Sequence, residues 1–193
     1  MMPLEAAKLA QSAYTDAPTI GQAASAARAV VYGASVAFPG TDNLACWLAD
    51  LDAVAIDVPG FGRLHAGFWG AWREISAQVL ALPNIQSTIG HSEGAALAIL
   101  AAASMRLAGK PPKEVWAFEP PRVSADTTLA QLFHVHGVEL HLYRNGLDVV
   151  TDVPRLLEDW QHPAPLQLIG HASVPFPNVE DHLIANVIAA LTV

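Results

Sequence analysis

Apolar residues recur along the chain in two alternating arrangements, short uninterrupted runs and longer stripes that repeat about every 3.6 residues. The short runs end at glycine, proline or asparagine, as buried strands do, whereas the stripes predict amphipathic helices. The clearest stripe begins at Phe68 and continues through Trp72, Ile75 and Val79. These patterns predict helices over residues 4–14, 67–80, 93–108 and 179–191, and strands over residues 34–38, 53–57, 85–89, 115–118, 138–143 and 166–169.

Two polar residues mark helix starts in the second half of the chain. Asn178 is the predicted N-cap of the last helix, and Ser124 that of a short helix through Leu129 and Leu132. Strands and helices alternate throughout without a linker or an internal repeat, which is typical of an α/β protein. We therefore expect a single α/β domain over residues 1–193, with three layers and a mostly parallel central sheet that carries helices on both faces.

The composition narrows the class of protein further. Hydrophobic residues make up 52% of the chain and charged residues 15%, so the chain can bury a sizeable core and is not disordered. The net charge of −8 argues against nucleic acid or an anionic membrane as a partner. No apolar stretch reaches the roughly 20 residues that a bilayer crossing needs, so no integral membrane segment is expected.

The N-terminus and the single cysteine bear on the cellular location. Residues 1–8 lack the basic segment and following apolar run that a secretory signal contains. Cys46 stands alone, so the fold needs no intramolecular disulfide and tolerates a reducing compartment. These observations predict a cytoplasmic protein, or one released without a conventional signal peptide.

A pentapeptide between a predicted strand and a predicted helix carries the clearest chemical signal. Gly90-His91-Ser92-Glu93-Gly94 matches the pattern G-x-S-x-G, in which glycines let a strand turn abruptly into a helix and expose the serine. A serine hydroxyl is a weak nucleophile, so it needs a histidine to accept its proton and a carboxylate to orient the imidazole. Ser92 is therefore the candidate nucleophile.

The order of residues along the chain limits the partners of this serine. In hydrolases with this topology the acid and then the base follow the serine, which excludes His65 and His91 as the base. Asp148 follows the strand predicted at 138–143, and its rival Asp152 lies four residues later. Position favours Asp148, because reacting groups gather where parallel strands end.

Two histidines near the C-terminus are candidates for the base. His182 lies in the first turn of the predicted last helix, where the helix dipole disfavours the imidazolium and keeps the resting base neutral. His171 follows the strand predicted at 166–169 and is the alternative, although a histidine there also fits a structural hydrogen bond. The sequence slightly favours His182.

An acyl-transfer site also needs N–H donors for the oxyanion that forms. The sharp strand-to-helix turn of the G-x-S-x-G motif, here called the elbow, makes the backbone N–H of Glu93 the first candidate donor. The loop after the strand at 34–38 offers Gly40 or Thr41, since Pro39 has no N–H. The Glu93 side chain should point outward, because its charge would repel the oxyanion.

Other residues that could bind a metal or a substrate are interpreted more simply. His134 and His136 lie close together, but no H-E-x-x-H motif or cysteine cluster accompanies them, so we expect no metal and no cofactor. A few aromatic residues near the predicted strand ends are candidates for binding the acyl group of a substrate: Phe38, Phe61, Phe68 and Trp69.

Taken together, these segments resemble the class 3 lipase family, the fungal-type triacylglycerol lipases of α/β-hydrolase fold. The resemblance covers most of the chain and rests on residues 36–41, 47–51, 65–68, 90–94, 119–123, 148–154 and 181–183. It implies a serine ester hydrolase in which Asp148, rather than Asp152, is the acid and His182 is the base. It also implies oxyanion donors at Thr41 and at the Glu93 amide.

Departures from the family pattern bear on the substrate. Glu119 and Glu93 stand where the family has glycine and leucine, and only five residues separate Thr41 from Trp47, where longer members place a lid. We therefore expect little interfacial activation and a preference for short- to medium-chain or dispersed esters. A phospholipase, a polyester hydrolase or an acyltransferase would use the same triad. A catalytically silent binding protein of this fold is the alternative from another class.

Overall fold

The computed structural model describes residues 1–25, 27–41, 54–135, 137–155 and 159–192. Within these ranges, strands and helices alternate much as the periodicity predicts. In chain order the elements are α1 (Pro3–Ser12), β1 (Ile20–Gly21), β2 (Arg28–Tyr32), β3 (Ser35–Phe38), β4 (Ala55–Val58), β5 (Gly62–His65), α2 (Ala66–Ala81), β6 (Ser87–His91), α3 (Glu93–Leu107), β7 (Glu114–Phe118), α4 (Thr128–His134), β8 (Glu139–Asn145), a 3-10 turn (Val150–Asp152), β9 (Gln167–Ile169) and α5 (Ile184–Ala190).

Seven of the described strands form one sheet in the order β1-β2-β3-β6-β7-β8-β9. Strand β3 and strands β6 to β9 run parallel, whereas β1 and β2 extend the sheet in antiparallel fashion at one edge. Phe38 pairs with Gly90, and Phe118 pairs with both His91 and Tyr143, so neighbouring parallel strands end at nearly one level. The loops that follow these strands therefore meet at one edge of the sheet, where ligands of such folds bind.

Helices cover both faces of this sheet, which confirms the predicted three-layer α/β fold with a mostly parallel sheet. Helices α1 and α5 pack on one face, against a cluster that includes Trp116 and Phe118. Helices α2, α3 and α4 pack on the other face and enclose the larger part of the core. Helix α3 is buried along nearly its whole length, because its many alanines let the sheet and α2 approach closely.

In the middle of the chain, one predicted strand is observed with shifted bounds and one predicted helix cap is not observed. The strand predicted over residues 53–57 is observed at Ala55–Val58, where it pairs with β5 in a separate antiparallel hairpin. Ser124 does not cap α4, because its backbone bridges to Leu64 and Gln161, and α4 begins only after Thr127. At Ser124, pairing with distant segments prevails over the local capping signal.

The last helix is shorter than predicted and begins at Ile184 instead of residue 179. The Asp181 carboxylate accepts the backbone N–H groups of Leu147 and Ser173, at 2.8 and 3.0 Å. Asn178 also binds Asp181, through both its side-chain oxygen and its side-chain nitrogen. These bonds hold the residues before α5 in turns.

Several predicted features lie outside the described residues: the segment 47–51, Cys46, the shortened loop after Thr41, and His136. Among the helices that the structure describes, none is both long enough and apolar enough to cross a bilayer.

Candidate active site

The turn between β6 and α3 holds Ser92 in a backbone conformation that few residues other than glycine adopt, with φ 60° and ψ −129°. A Cβ atom at Gly90 would collide with the carbonyl group of Gly94, and one at Gly94 with the carbonyl oxygen of Phe38. Close backbone approach thus requires both glycines of the motif. Backbone strain of this kind persists where the surrounding structure enforces it, and here it presents the Ser92 hydroxyl at the end of β6.

Asp148 and His182 meet at the same edge of the sheet. His182 Nδ1 lies 3.0 Å from Asp148 Oδ2, and the Val150 N–H donates to Asp148 Oδ1 at 2.9 Å. Because a carboxylate only accepts, Nδ1 carries the proton and Nε2 of the neutral ring keeps its lone pair. Burial by itself raises the pKa of Asp148, but its interactions with neighbouring Glu119 and His182 outweigh this effect and lower the pKa below its ordinary value.

Ser92 and His182 line one pocket of about 260 Å³, whose other described lining residues are Tyr14, Thr41, His91, Leu183 and Ile184. Ser92 Oγ and His182 Nε2 are both buried, and neither atom has a hydrogen-bond partner among the described residues. The predicted bond between these two atoms is therefore not formed in this structure. Catalytic hydrogen bonds are often long before substrate binds. The Ser92 hydroxyl and the lone pair of His182 Nε2 still belong to residues that line one pocket.

The rival candidates lie elsewhere. His171 is exposed and does not line this pocket. Asp152 forms ion pairs with Arg144, at 3.3 Å, and with Arg155, at 2.9 Å. The structure therefore brings together the serine, carboxylate and imidazole that the sequence favours, and it does not bring the rivals to them.

The helix-dipole argument for His182 is wrong, because α5 starts two residues later, at Ile184, and is only seven residues long. His182 lies instead in the turn before that helix. Asp148 orients its ring, and its backbone carbonyl oxygen is bound by His91.

His91 is the residue whose contribution sequence reasoning missed. Its Nε2–H donates to the carbonyl oxygen of His182 at 2.8 Å, and its Nδ1 accepts the Tyr14 hydroxyl proton at 2.6 Å. Burial, and then the charge of neighbouring His182, lowers the pKa of His91 from 6.5 to about 3. The ring is therefore neutral and joins the elbow, the His182 peptide and the residues after α1. The available signal was the histidine within the motif, which chain order excluded only as the base.

Of the two residues predicted to supply oxyanion donors, one lines the pocket and the other directly follows Ser92 in the chain. Thr41 lines the pocket, and α3 begins at Glu93, whose N–H belongs to the helix turn that has no intrahelical acceptors. The outward orientation predicted for the Glu93 side chain is wrong, since only 8% of this residue is exposed. Burial raises the pKa of its carboxyl, although Arg28 offsets part of this effect. Because a carboxyl with a raised pKa is less readily ionised, Glu93 repels an oxyanion less than an ordinary glutamate would.

The aromatic residues predicted to bind the acyl group belong to the core. Phe38 packs edge-to-face against Trp72, with ring centroids 6.4 Å apart. Phe61 and Trp69 contact each other, and Phe68 is buried in the same cluster. None of the predicted four lines the pocket that holds Ser92. Phe68 and Trp69 lie on α2, which packs on the sheet and directs their rings into the same core cluster as Phe38 and Phe61.

A further carboxyl lies beside the Asp148–His182 pair. Glu119, Asp148 and His182 each bring one metal-capable atom within 4.8 Å of the other two. All three side chains are buried, and His182 Nδ1 already binds Asp148. Hydrogen bonding accounts for this cluster without an ion, and the expectation of neither metal nor cofactor stays a prediction.

Known proteins resemble the chain in sequence and in fold. The family described as Lipase (class 3) matches residues 35–158. The secreted mono- and diacylglycerol lipase A of Penicillium cyclopium is 32% identical over an alignment of 142 residues, and the match covers 67% of this chain and 46% of that protein. The chain thus spans less than half the length of this curated relative.

Solved fungal lipases share the fold over nearly the whole chain. The Rhizomucor miehei lipase propeptide complex matches with a TM-score of 0.72 and 18% identity, over 93% of this chain and 78% of that chain. The N225Q mutant of MDLA from Penicillium cyclopium matches with a TM-score of 0.68 and 22% identity, over 93% and 81%. These likenesses show the α/β-hydrolase fold.

The relatives also correct one expectation. They are named as secreted lipases, so the prediction of a cytoplasmic protein is wrong. A lone cysteine tolerates a reducing compartment without requiring one, and it therefore does not locate a protein. Because the family match covers well over half of its residues, this chain belongs to the class 3 lipase family.

Proposed function

We propose that this protein hydrolyses carboxylic esters, with Ser92 as the nucleophile, His182 as the general base and acid, and Asp148 as the carboxylate that orients His182. The observation that carries the proposal is the 3.0 Å bond between His182 Nδ1 and Asp148. It leaves His182 Nε2 without a partner among the described residues, beside the pocket that Ser92 also lines. Membership of the class 3 lipase family supports the same activity.

The proposed reaction starts when Ser92 Oγ attacks the ester carbonyl carbon and His182 Nε2 takes the hydroxyl proton. The carbonyl oxygen becomes an oxyanion, which the N–H groups of Thr41 and Glu93 stabilise. The tetrahedral intermediate then breaks its bond to the alcohol oxygen, His182 protonates that oxygen, and an acyl-Ser92 ester remains. Water attacks this ester with His182 again as the base, which releases the carboxylic acid and restores the serine.

The substrates we propose are short- to medium-chain or dispersed esters. Leu183 and Ile184 form an apolar wall in a pocket of about 260 Å³, a volume that suits a small acyl group. The short segment between Thr41 and Trp47 argues for little interfacial activation. Relatives named as secreted mono- and diacylglycerol lipases support glyceride esters as the class and action outside the cell.

Covalent labelling with a fluorophosphonate tests the assignment of the nucleophile. Ser92→Ala is expected to keep the fold but to lose both labelling and hydrolysis of p-nitrophenyl esters, because the attacking oxygen is gone. Ser76→Ala, the same substitution on α2, is the matched control and should label like the wild type. Labelling that persists in Ser92→Ala, or a wild type that does not label, would contradict the proposal.

The acyl preference is tested separately with p-nitrophenyl esters from acetate to palmitate. We expect the highest kcat/KM among the shorter chains, because longer ones exceed the wall that Leu183 and Ile184 form. A maximum at palmitate would overturn this part of the proposal and leave the triad untouched.

A further inference from the structure

The turn after β7 holds a buried carboxyl that the proposed mechanism does not use. Glu119 is completely buried, and its φ of 53° lies in the left-handed region that favours glycine. A glutamate here combines backbone strain with desolvation of a carboxyl group, so its contacts require an explanation.

The two oxygens of Glu119 have different surroundings. Oε1 accepts the backbone N–H of Asn145 at 2.6 Å. Oε2 is buried and meets no donor in the part of the chain that the structure describes. One Glu119 oxygen, one Asp148 oxygen and one His182 nitrogen lie within 4.8 Å of one another. A buried carboxyl that lies beside another carboxylate, and one of whose oxygens receives no N–H, is where a carboxylic-acid proton belongs.

The charges around Glu119 support the same assignment. Two ionised carboxylates repel each other strongly in a buried site, so such a pair retains a proton. Arg144 of β8 is the nearby cation, but its guanidinium is engaged with Asp152 at 3.3 Å. Burial first, and then Asp148, raises the pKa of Glu119 well above its ordinary value. The pair therefore carries one negative charge, and it resides on Asp148.

We propose that Glu119 is a positioning residue of the triad, whose neutral carboxyl donates a hydrogen bond to Asp148 and weakens the hold of Asp148 on protonated His182. The inference rests on the function proposed above. Asp148 then accepts from Glu119 as well as from Val150 N–H and His182 Nδ1–H. Each donor spreads the negative charge of the carboxylate, so less of it remains to stabilise an imidazolium. With glycine at position 119, Asp148 would lose this donor and keep more of its charge for the imidazolium of His182.

The other titratable groups that face His182 do not substitute for Glu119. Asp148 is its direct partner, and His91 of β6 lies on another side, with ring centroids 4.7 Å apart. His91 keeps its neutral form down to a pH of about 3. Between that pH and neutrality, the charge that His182 meets thus depends on the Glu119–Asp148 pair.

Three proteins test the proposal: wild type, Glu119→Gln and Glu119→Gly. The Gln variant keeps a donor for Asp148 at nearly the same shape, whereas the Gly variant removes the donor and relieves the strained φ. At neutral pH the infrared spectrum of the wild type should contain a protonated-carboxyl C=O band that Glu119→Gln lacks. Glu74→Gln, the same substitution at an exposed site on α2, should leave the spectrum of buried carboxyls unchanged.

The effect on the base is measured by NMR titration of the His182 ring. The midpoint should move up by about one pH unit in Glu119→Gly and stay near the wild-type value in Glu119→Gln, as expected for one charged hydrogen bond. The acid limb of kcat/KM for ester hydrolysis should move by the same amount. Should Glu119→Gly not fold, Glu119→Leu keeps the volume without the donor and serves the same comparison.

Two results would overturn the proposal: infrared spectra in which wild type and Glu119→Gln have the same carboxyl bands, or one His182 midpoint shared by all the variants. Neither measurement needs ester turnover. A failure of the proposed hydrolase function would appear separately, as a wild type that does not label at Ser92 while both spectroscopic signals are present.

Discussion

The buried ring of His91 makes the stability of this fold sensitive to acid. In the unfolded chain the imidazole takes up a proton near pH 6.5, whereas in the fold its pKa is about 3, because burial and His182 disfavour the charge. Between these two values the unfolded state binds one more proton than the folded state. His91 therefore makes its full contribution to the free energy of unfolding above pH 6.5. That contribution falls by about 1.4 kcal/mol for each pH unit as the pH drops towards 3.

His91→Gln removes the titrating group and keeps the kind of contact it makes. A glutamine amide can donate to the His182 carbonyl oxygen and accept from the Tyr14 hydroxyl, the partners that His91 binds at 2.8 and 2.6 Å. We expect the variant to be less stable by about 1–2 kcal/mol near neutral pH, since the new bonds are less well placed. Its stability should then decline less steeply in acid, so the two curves meet roughly one pH unit below the unfolded pKa of His91.

Urea denaturation at a series of pH values measures both effects. The stability advantage of the wild type should shrink by about 1.4 kcal/mol for each pH unit below 6.5, with the same m value in both proteins. Tyr14→Phe is the matched control, because it removes one hydrogen bond, keeps the imidazole, and should retain the wild-type acid slope. Parallel curves for the wild type and His91→Gln between pH 6.5 and 4 would refute the reasoning.

Two further predictions concern Gly94 in the elbow and the carboxylate of Asp148. Gly94→Ala forces a Cβ atom against the Phe38 carbonyl oxygen and should destabilise the fold by about 1–3 kcal/mol, whereas Gly70→Ala in α2 meets nothing within 4 Å and should stabilise it by roughly 0.5–1 kcal/mol. Calorimetry checks this pair, and equal Tm values would contradict it. Asp148→Asn should lower kcat for ester hydrolysis by about 10⁴ with an unchanged circular dichroism spectrum, because His182 then adopts the wrong tautomer. A loss below tenfold would show that Asp148 does not orient the base.

Short-range patterns predict most of the fold and the nucleophile. The helix predicted at 93–108 is observed at Glu93–Leu107, and the strand before it is displaced by only two residues. The elbow is equally local, because close approach of backbone atoms within one turn dictates its glycines. Asp148 could be identified because parallel strands place their following loops at one edge of the sheet.

Contacts between distant segments could not be predicted in this way. The bond between Tyr14 and His91 joins residues 77 positions apart, and it forms only when α1 packs on the sheet. Burial of the Glu93 side chain likewise depends on how α3 and Arg28 come together. Periodicity and capping rules describe a segment and its immediate neighbours, so they carry no information about such pairs.

The apolar wall of the pocket is made by Leu183 and Ile184, the two residues that directly follow His182. In the proposed mechanism, redesign of this wall for bulkier substrates would therefore act on the same short stretch of backbone that places the general base. A substitution on this side of the pocket is therefore expected to change substrate selectivity and turnover together.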